Sequence, residues 1–125
     1  MSAYQYLSVE CHNDVACVRF VRTRLEETET LGLGDELFRL AHSHPKMVLV
    51  LGPQRLDLLF SVFLAKLIRV RNEARRLGGD LVLCEASPIT WSVFSASLLD
   101  RQFVYRPTLA EALAYWRDQA AATGS

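Results

Sequence analysis

Four residues of this sequence have side chains that commonly bind metal ions and could be brought together: Cys11, His12, His42 and His44. A protein metal site needs several such ligands at fixed geometry, and beyond His42 and His44 the sequence offers only Cys11 and His12. Histidines at the C-terminal end of a helix also interact favourably with the helix dipole and the last carbonyl groups. We favour that second role and predict no metal site.

The three cysteines, Cys11, Cys17 and Cys84, form an odd set without CxxC spacing. Cys84 could act as a nucleophile only beside a base in polar surroundings, whereas it follows the apolar residues Leu81-Val82-Leu83. The sequence therefore predicts reduced cysteines that serve as small, buried hydrophobic residues of a cytosolic protein. No paired carboxylates, glycine-rich phosphate loop or Ser-His-Asp pattern stands out, so we predict neither an enzyme nor a cofactor.

Ser61 begins an amphipathic segment and could accept a phosphate group, since the N-terminus of a helix favours anions. A serine there is also a common N-cap, whose hydroxyl accepts a backbone N–H group, and we favour the cap. Further along, a row of arginines could meet an acidic partner or could form a solvated helix face, which is the commoner case. The row consists of Arg69, Arg71, Arg75 and Arg76.

The elements that would position these residues are centred on a strand-helix-strand unit between Lys46 and Cys84. The apolar runs 47–51 and 81–84 do not alternate with polar residues, which is typical of strands covered on both faces. Such strands are expected to lie parallel, with the segment 60–77 as the right-handed crossover helix between them.

At about 100° per residue, the crossover helix has an apolar side and a charged side. The apolar side holds Phe60, Phe63, Leu64, Leu67, Val70, Ala74 and Leu77, and the charged side holds Lys66, Arg69, Glu73 and Arg76. Arg71 points toward the apolar side, where its long stem can snorkel. Val62 falls on the charged side, so the core of the domain does not need this apolar residue.

The remaining elements follow one another along the chain. The sequence predicts a β-hairpin over 4–22 with its turn at His12-Asn13-Asp14, followed by a helix with the stripe Leu33, Leu37, Leu40 and Ala41. After the central unit it predicts a helix opened by Ser87-Pro88 and an edge strand at 103–105. The last predicted element is a helix opened by the capping box Thr108 to Glu111. The order ββαβαβαβα, with one hairpin and two crossovers, predicts an α/β fold with a small mixed sheet and helices packed mainly on one face.

Length and charge limit the functional classes. At 125 residues and 50% apolar residues the chain is expected to form one domain, with its core at about 5–115 and a frayed tail at 120–125. The formal net charge of zero lacks the basic footprint of a nucleic-acid binder. We see neither a signal peptide nor an apolar run long enough to span a bilayer, so we predict no membrane insertion and a cytoplasmic location.

The stretch from Leu51 to Leu113 resembles the STAS domain, the fold of bacterial anti-sigma factor antagonists. The matching features are Leu59-Phe60-Ser61 at a helix start, Leu64 through Gly78-Gly79, the run Leu81-Val82-Leu83-Cys84, Ser87-Pro88, Leu99-Asp100-Arg101-Gln102-Phe103, and Thr108 through Leu113. The N-terminal hairpin and the first helix also agree in register with those of the family, so the likeness covers roughly residues 5–115.

The sequence departs from the family at the phosphorylation motif. The family's Asp-Ser-Ser-Gly signature, whose second serine is phosphorylated, falls on Phe60, Ser61, Val62 and Phe63. The aspartate that the family often has after the preceding strand falls on Gly52. Both carboxylates and the acceptor hydroxyl are therefore missing, and the resemblance leaves only Ser61 as a phosphorylation candidate.

The resemblance implies a non-catalytic protein-interaction domain in bacterial partner-switching signal transduction and transcription regulation, without the usual serine switch. Its partner would be an anti-sigma factor or serine kinase-like protein, or another signalling protein, and a homodimer is compatible. The implied docking residues are Phe60, Ser61, Val62, Phe63, Lys66 and Arg69. The alternative is a small cytoplasmic STAS subunit of a lipid-transporting ABC complex, and a third is a small-molecule sensor, which needs a pocket.

Overall fold

The computed structural model describes residues 4–21, 27–52, 60–96 and 101–124. Within these ranges, five strands and four helices follow in the predicted order. They are β1 (Leu7–His12), β2 (Val15–Phe20), α1 (Glu27–Ser43), β3 (Lys46–Val50), α2 (Phe60–Arg76), β4 (Asp80–Cys84), α3 (Pro88–Ala96), β5 (Val104–Arg106) and α4 (Leu109–Gly124). The α/β fold expected from the sequence is confirmed.

The strands form one mixed sheet in the order β1-β2-β3-β4-β5. β1 and β2 pair antiparallel around a tight turn, where Asn13 has a φ of 59°, a conformation that asparagine tolerates better than most residues. The pairs β2–β3, β3–β4 and β4–β5 are all parallel. Each parallel pair of consecutive strands needs a crossover connection, so the structure has three crossovers. The sequence predicted two.

The two faces of the sheet carry separate apolar clusters. Met47 and Leu49 of β3 belong to the larger cluster, with Leu37 and Leu40 of α1 and Leu67 of α2. The intervening residues of the same strand belong to the smaller cluster, which includes Trp116 of α4. Because side chains alternate along a strand, the unbroken apolar runs in β3 and β4 are explained by burial on both faces.

The apolar side of α2 is buried as predicted where its side chains are described. Leu64, Leu67, Val70 and Ala74 are all at most 7% exposed. Leu77 is the exception, at 36% exposed, because it follows the last residue of the helix. Arg71 snorkels as expected: its guanidinium carbon lies 5.5 Å from the ring centroid of Phe103, and its Nη1 donates to the carbonyl of Gln102.

The end of α2 is shaped by two glycines. Gly78 has a φ of 91°, and the N–H of Gly79 donates to the carbonyl of Ala74 at 2.8 Å, which is the hydrogen bond of a Schellman motif. A Cβ at Gly79 would overlap the carbonyl oxygen of Pro45, so the chain passes too close to Pro45 for any side chain. These features turn the chain directly from the helix into β4.

The predicted N-cap hydroxyls of the last two helices are present, but among the described residues no amide donates to the Glu111 carboxylate, the other half of the predicted capping box. The Ser87 hydroxyl accepts the N–H of Thr90 at 3.2 Å, and the Thr108 hydroxyl accepts the N–H of Glu111 at the same distance. Each hydroxyl satisfies one of the amides left free at a helix start.

Two side chains, Cys11 and Glu36, differ from or add to the sequence-based description. Cys17 and Cys84 are buried in strands, but Cys11 is exposed on β1, contrary to the expectation that all three cysteines are buried. Glu36 of α1 is only 6% exposed, and its carboxylate accepts the N–H groups of Gln5 and Tyr6, a contact that sequence periodicity did not suggest. Among the described residues, no helix is long and apolar enough to cross a membrane.

Candidate functional site

The C-terminal edge of the parallel strands is the part of this fold where loops and helix starts meet. β3 is followed by Leu51 and Gly52, residues 53–59 lie outside the described part, and α2 begins at Phe60. At the same edge β4 leads through Glu85 into α3, and β5 leads into α4. In open α/β sheets this edge is where ligands and partners usually bind.

The backbone at this edge is closely packed around Gly52. The N–H of Leu51 donates to the carbonyl of Cys84 at 2.9 Å, which holds the two strand ends together. A Cβ built on Gly52 would lie 2.5 Å from the carbonyl oxygen of Glu85, and Glu85 itself has a φ of 57°. The position that carries an aspartate in the resembled family therefore has no room for any side chain here.

Glu85 provides a carboxylate at this edge that the sequence analysis missed. Its Oε2 accepts the N–H of Leu109 at 3.0 Å, so this side chain caps the first turn of α4. A carboxylate at a helix N-terminus is also favoured by the helix dipole. The only sequence signal was an acidic residue directly after the apolar run of β4, which does not indicate a partner 24 residues away.

The first turn of α2 contains the four positions of the degenerate phosphorylation motif. α2 begins at Phe60, so Ser61 is its second residue and not the residue before it, where an N-cap would lie. The side chains of Phe60, Ser61, Val62 and Phe63 lie outside the described part of the structure. The docking and phosphorylation roles predicted for them therefore stay predictions.

The other two predicted docking residues, Lys66 and Arg69, lie against α1. The ammonium of Lys66 lies 3.2 Å from Oδ1 of Asp35, and the guanidinium carbon of Arg69 lies 5.2 Å from the ring centroid of Phe38. Because α1 packs along this side of α2, the charged side of the helix is the rim of a helix pair. It is only partly a free surface.

Further along the same rim, Glu73 joins the two helices. Its carboxylate lies 2.6 Å from Nε2 of His42 on α1 and accepts from Nε and Nη2 of Arg76 at 2.6 and 3.0 Å. The Arg76 guanidinium, and to a lesser extent the His42 ring, lower the pKa of Glu73 from 4.5 to about 2. His42 therefore contacts a carboxylate of α2, a role that the sequence analysis did not suggest.

The four arginines of α2 do not form one continuous row. Arg69 lies against Phe38 of α1 and Arg76 pairs with Glu73 of its own helix, whereas Arg71 contacts Phe103 and Gln102. Arg75 pairs with Asp80 of β4, its Nε 3.1 Å from Oδ1. Since three of the four contact a carboxylate or a carbonyl oxygen, the row as a whole does not form a basic face.

A groove lies between α1 and α2 beside these contacts. It has a volume of about 240 Å³ and is lined by Gly34, Asp35, Phe38, Arg39, Lys66 and Arg69. We call it the α1–α2 groove. Lys66 and Arg69, the two predicted docking residues whose side chains are described, both line this groove.

The buried thiols are not in a state suited to nucleophilic chemistry. Cys84 is fully buried in β4, and burial raises its pKa to about 12. Burial likewise raises the pKa of Cys17 to about 11. A thiol with such a pKa carries almost no thiolate at neutral pH. Within the described ranges, no group of three or more His, Cys, Asp or Glu side chains converges to hold a metal ion.

Comparison with known proteins gives a clear result for the fold. Neither a protein-family model nor a curated protein matches this sequence. Among solved structures, a STAS-domain anti-sigma-factor antagonist protein from Planctomyces limnophilus superposes with a TM-score of 0.74 at 24% identity, over 87% of this chain and 96% of that chain.

A candidate anti-sigma factor antagonist from Thermotoga maritima gives the same result in two structures. Its crystal structure has a TM-score of 0.72 at 20% identity, over 89% of this chain and 94% of that chain. The NMR structure of the protein TM1081 has a TM-score of 0.72 at 19% identity, over 94% of this chain and 93% of that chain. At these identities the likeness establishes the architecture, and the chain has the STAS fold of anti-sigma factor antagonist structures.

Proposed function

We propose that this chain is a non-catalytic protein-interaction domain of the anti-sigma factor antagonist type, acting in bacterial partner-switching signalling or a related regulatory assembly in the cytoplasm. The observation that carries the proposal is the STAS fold, which matches solved proteins described as anti-sigma factor antagonists over most of both chains. The partner is an anti-sigma factor or serine kinase-like protein, or another signalling protein.

The proposed docking surface is the first half of α2. It consists of Phe60, Ser61, Val62, Phe63, Lys66 and Arg69. Arg69 is exposed, and the half-buried Lys66 is paired with Asp35. The described part of the surface therefore offers the Arg69 guanidinium to an acidic partner. A small apolar centre with a polar rim is the usual composition of a protein interface.

Binding at this surface is proposed to lack the phosphorylation switch. In the resembled family a phosphate at the helix start adds charge and bulk to the docking surface. Here the acceptor position is Val62, and Gly52 packs too closely against Glu85 to be replaced by the acid that the family often has there. Binding is then governed by abundance, competition or modification at another position.

The test is a binding comparison with a folding control. After affinity capture identifies the partner, calorimetric titration compares the unchanged protein with Val62→Asp. A carboxylate introduced into an interface loses its hydration without gaining a counter-ion, so we expect binding to weaken by about 2 kcal/mol or more. The free energy of unfolding should change by no more than about 0.5 kcal/mol, as for an ordinary surface substitution.

The matched control is Leu67→Asp on the core-facing side of the same helix. Leu67 is fully buried, so a carboxylate there is expected to unfold the domain. If Val62→Asp binds the partner as tightly as the unchanged protein, the first turn of α2 is not the docking surface.

The oligomeric state is a separate question. Sedimentation velocity of the unchanged protein reports whether the free chain is a monomer or a homodimer.

A further inference from the structure

The α1–α2 groove carries an excess of positive charge. Its lining contains three cationic side chains, Arg39, Lys66 and Arg69, and one carboxylate, Asp35, which is 3.2 Å from Lys66. Within the described part of the chain, neither Arg39 nor Arg69 forms an ion pair. Among the described lining residues, three cations less one carboxylate leave an excess of two positive charges, in a protein whose formal net charge is zero. The groove therefore differs in charge from the molecule as a whole.

The two unpaired guanidinium groups are held by aromatic rings. The guanidinium carbon of Arg39 lies 5.6 Å from the ring centroid of Tyr4, and that of Arg69 lies 5.2 Å from the ring centroid of Phe38. A cation–π contact uses the face of the guanidinium and leaves the N–H donors in its plane available. Both groups are thus restrained, and within the described ranges neither guanidinium donates a hydrogen bond, so their donors can bind an anion. The planar fork of an arginine fits the oxygens of a carboxylate or phosphate.

Part of the groove lining is apolar. A Cβ on Gly34 would lie 2.8 Å from both Cβ and Cγ of Lys66, so the stem of Lys66 packs directly on the backbone of α1. Phe38 is half-buried in the same lining, and its ring also contacts His42 edge-on, with centroids 5.0 Å apart. This apolar part of the lining suits the hydrocarbon part of a ligand better than it suits a hydrated inorganic ion.

We propose that the α1–α2 groove binds a small organic anion, whose phosphate or carboxylate is held by Arg39 and Arg69 and whose apolar body packs on Phe38. This ligand is a small molecule, so the inference goes beyond the proposed protein-docking role. The ligand would share Arg69 with the proposed docking surface. The test below uses the isolated chain, so its result does not depend on whether the protein partner is correctly assigned.

The experiment is an NMR titration of the isotope-labelled protein with phenyl phosphate, inorganic phosphate and phenol. We expect phenyl phosphate to cause saturable shifts of the Gly34 and Phe38 amide resonances. Inorganic phosphate and phenol, which each lack one half of the proposed ligand, should bind at least several-fold more weakly. Sodium chloride at matched ionic strength identifies shifts that are due to salt alone.

The variants test the assignment to the two arginines. Because the double variant Arg39→Gln with Arg69→Gln removes two exposed charge contacts, it should raise the dissociation constant of phenyl phosphate by about tenfold. Arg101→Gln with Arg117→Gln is the matched control, since it removes two exposed arginines outside the groove and should leave the constant unchanged. Melting temperatures establish that each variant is folded.

A second measurement needs no variant. Nuclear Overhauser effects between the phenyl protons of the ligand and the Phe38 ring are expected in the unchanged protein. Their absence at saturation would overturn the proposal, as would equal weakening in the two double variants. Equal binding of inorganic phosphate and phenyl phosphate would show an adventitious ion only and would also overturn it.

Discussion

Gly52 shows how one residue determines the chemistry of the sheet edge. Without a side chain, the backbone at the end of β3 approaches the carbonyl of Glu85, a residue that itself has a φ of 57°. The carboxylate of Glu85 is engaged in capping α4 through Leu109. The edge therefore has an acid, but its position and hydrogen bond give it a structural role.

We predict that Gly52→Asp destabilises the protein and does not simply restore the acid of the resembled family. The new Cβ would lie 2.5 Å from a backbone oxygen, so the end of β3 or the Glu85 turn must move. Overpacking of this kind costs about 1–3 kcal/mol, which urea unfolding would measure.

Two variants separate the effect of size at position 52 from that of charge. Gly52→Ala should be destabilised almost as much, since the clash involves the Cβ itself. Val21→Asp adds the same charge at a side chain that is 56% exposed and should change the free energy of unfolding by no more than about 0.5 kcal/mol. A stable Gly52→Asp protein would show that this edge can accommodate a side chain.

At the scale of elements, the pair of helices α1 and α2 explains why the charged side of α2 is only partly exposed. Lys66, Arg69 and Glu73 contact Asp35, Phe38 and His42 of α1, respectively. Gly34 allows this close approach, because any side chain there would meet the stem of Lys66. The row of polar residues thus joins two helices, and the α1–α2 groove lies between them.

We predict that the link through Glu73 makes stability depend on pH in the acidic range. The pKa of Glu73 is lowered from 4.5 to about 2, chiefly by Arg76 and also by His42. A carboxylate with a lowered folded-state pKa stabilises the protein above its unfolded-state pKa, and this contribution is lost as the pH falls through the folded-state value. The loss should therefore occur between about pH 4.5 and pH 2.

Glu73→Gln tests this link. Urea unfolding at pH 7 should show the variant to be less stable than the unchanged protein, and the difference should shrink as the pH approaches 2. Asp118→Asn, which removes an exposed carboxylate of α4, serves as the control and should show no such convergence. A stability difference that stays constant from pH 7 to pH 2 would mean that the ion pair does not contribute.

At the scale of the whole molecule, the STAS fold is present while the phosphorylation motif of the resembled family is not. The residues of that motif are not required for the sheet and its three parallel crossovers, nor for the caps of α3 and α4. A fold supports many functions, since function depends on the site. The fold therefore does not depend on the residues that the family uses for regulation.

We predict that the intact protein gains no phosphate from a serine kinase that phosphorylates anti-sigma factor antagonists. The acceptor position is Val62, which has no hydroxyl group, and Phe60 and Gly52 replace the neighbouring acids. Intact-mass measurement after incubation with ATP should show an unchanged mass, while the kinase's own substrate gains a phosphate in parallel. A stoichiometric phosphopeptide containing Ser61 would contradict the prediction.

The sequence by itself determined the order of elements and most of the core. Unbroken apolar runs in β3 and β4, the apolar stripe of α2 and the capping residues Ser87 and Thr108 are local signals, and the structure confirms them. These signals are readable because side-chain periodicity and caps depend on residues a few positions apart.

Only the tertiary structure decided which residues from distant parts of the chain meet. The cap of α4 by Glu85, the burial of Glu36 on the N–H groups of residues 5 and 6, and the pairing of His42 with Glu73 each join residues 24 to 31 positions apart. Their geometry depends on how helices and strands pack, and no local pattern encodes it. The α1–α2 groove arises in the same way, because its charges come from two helices whose close approach depends on Gly34.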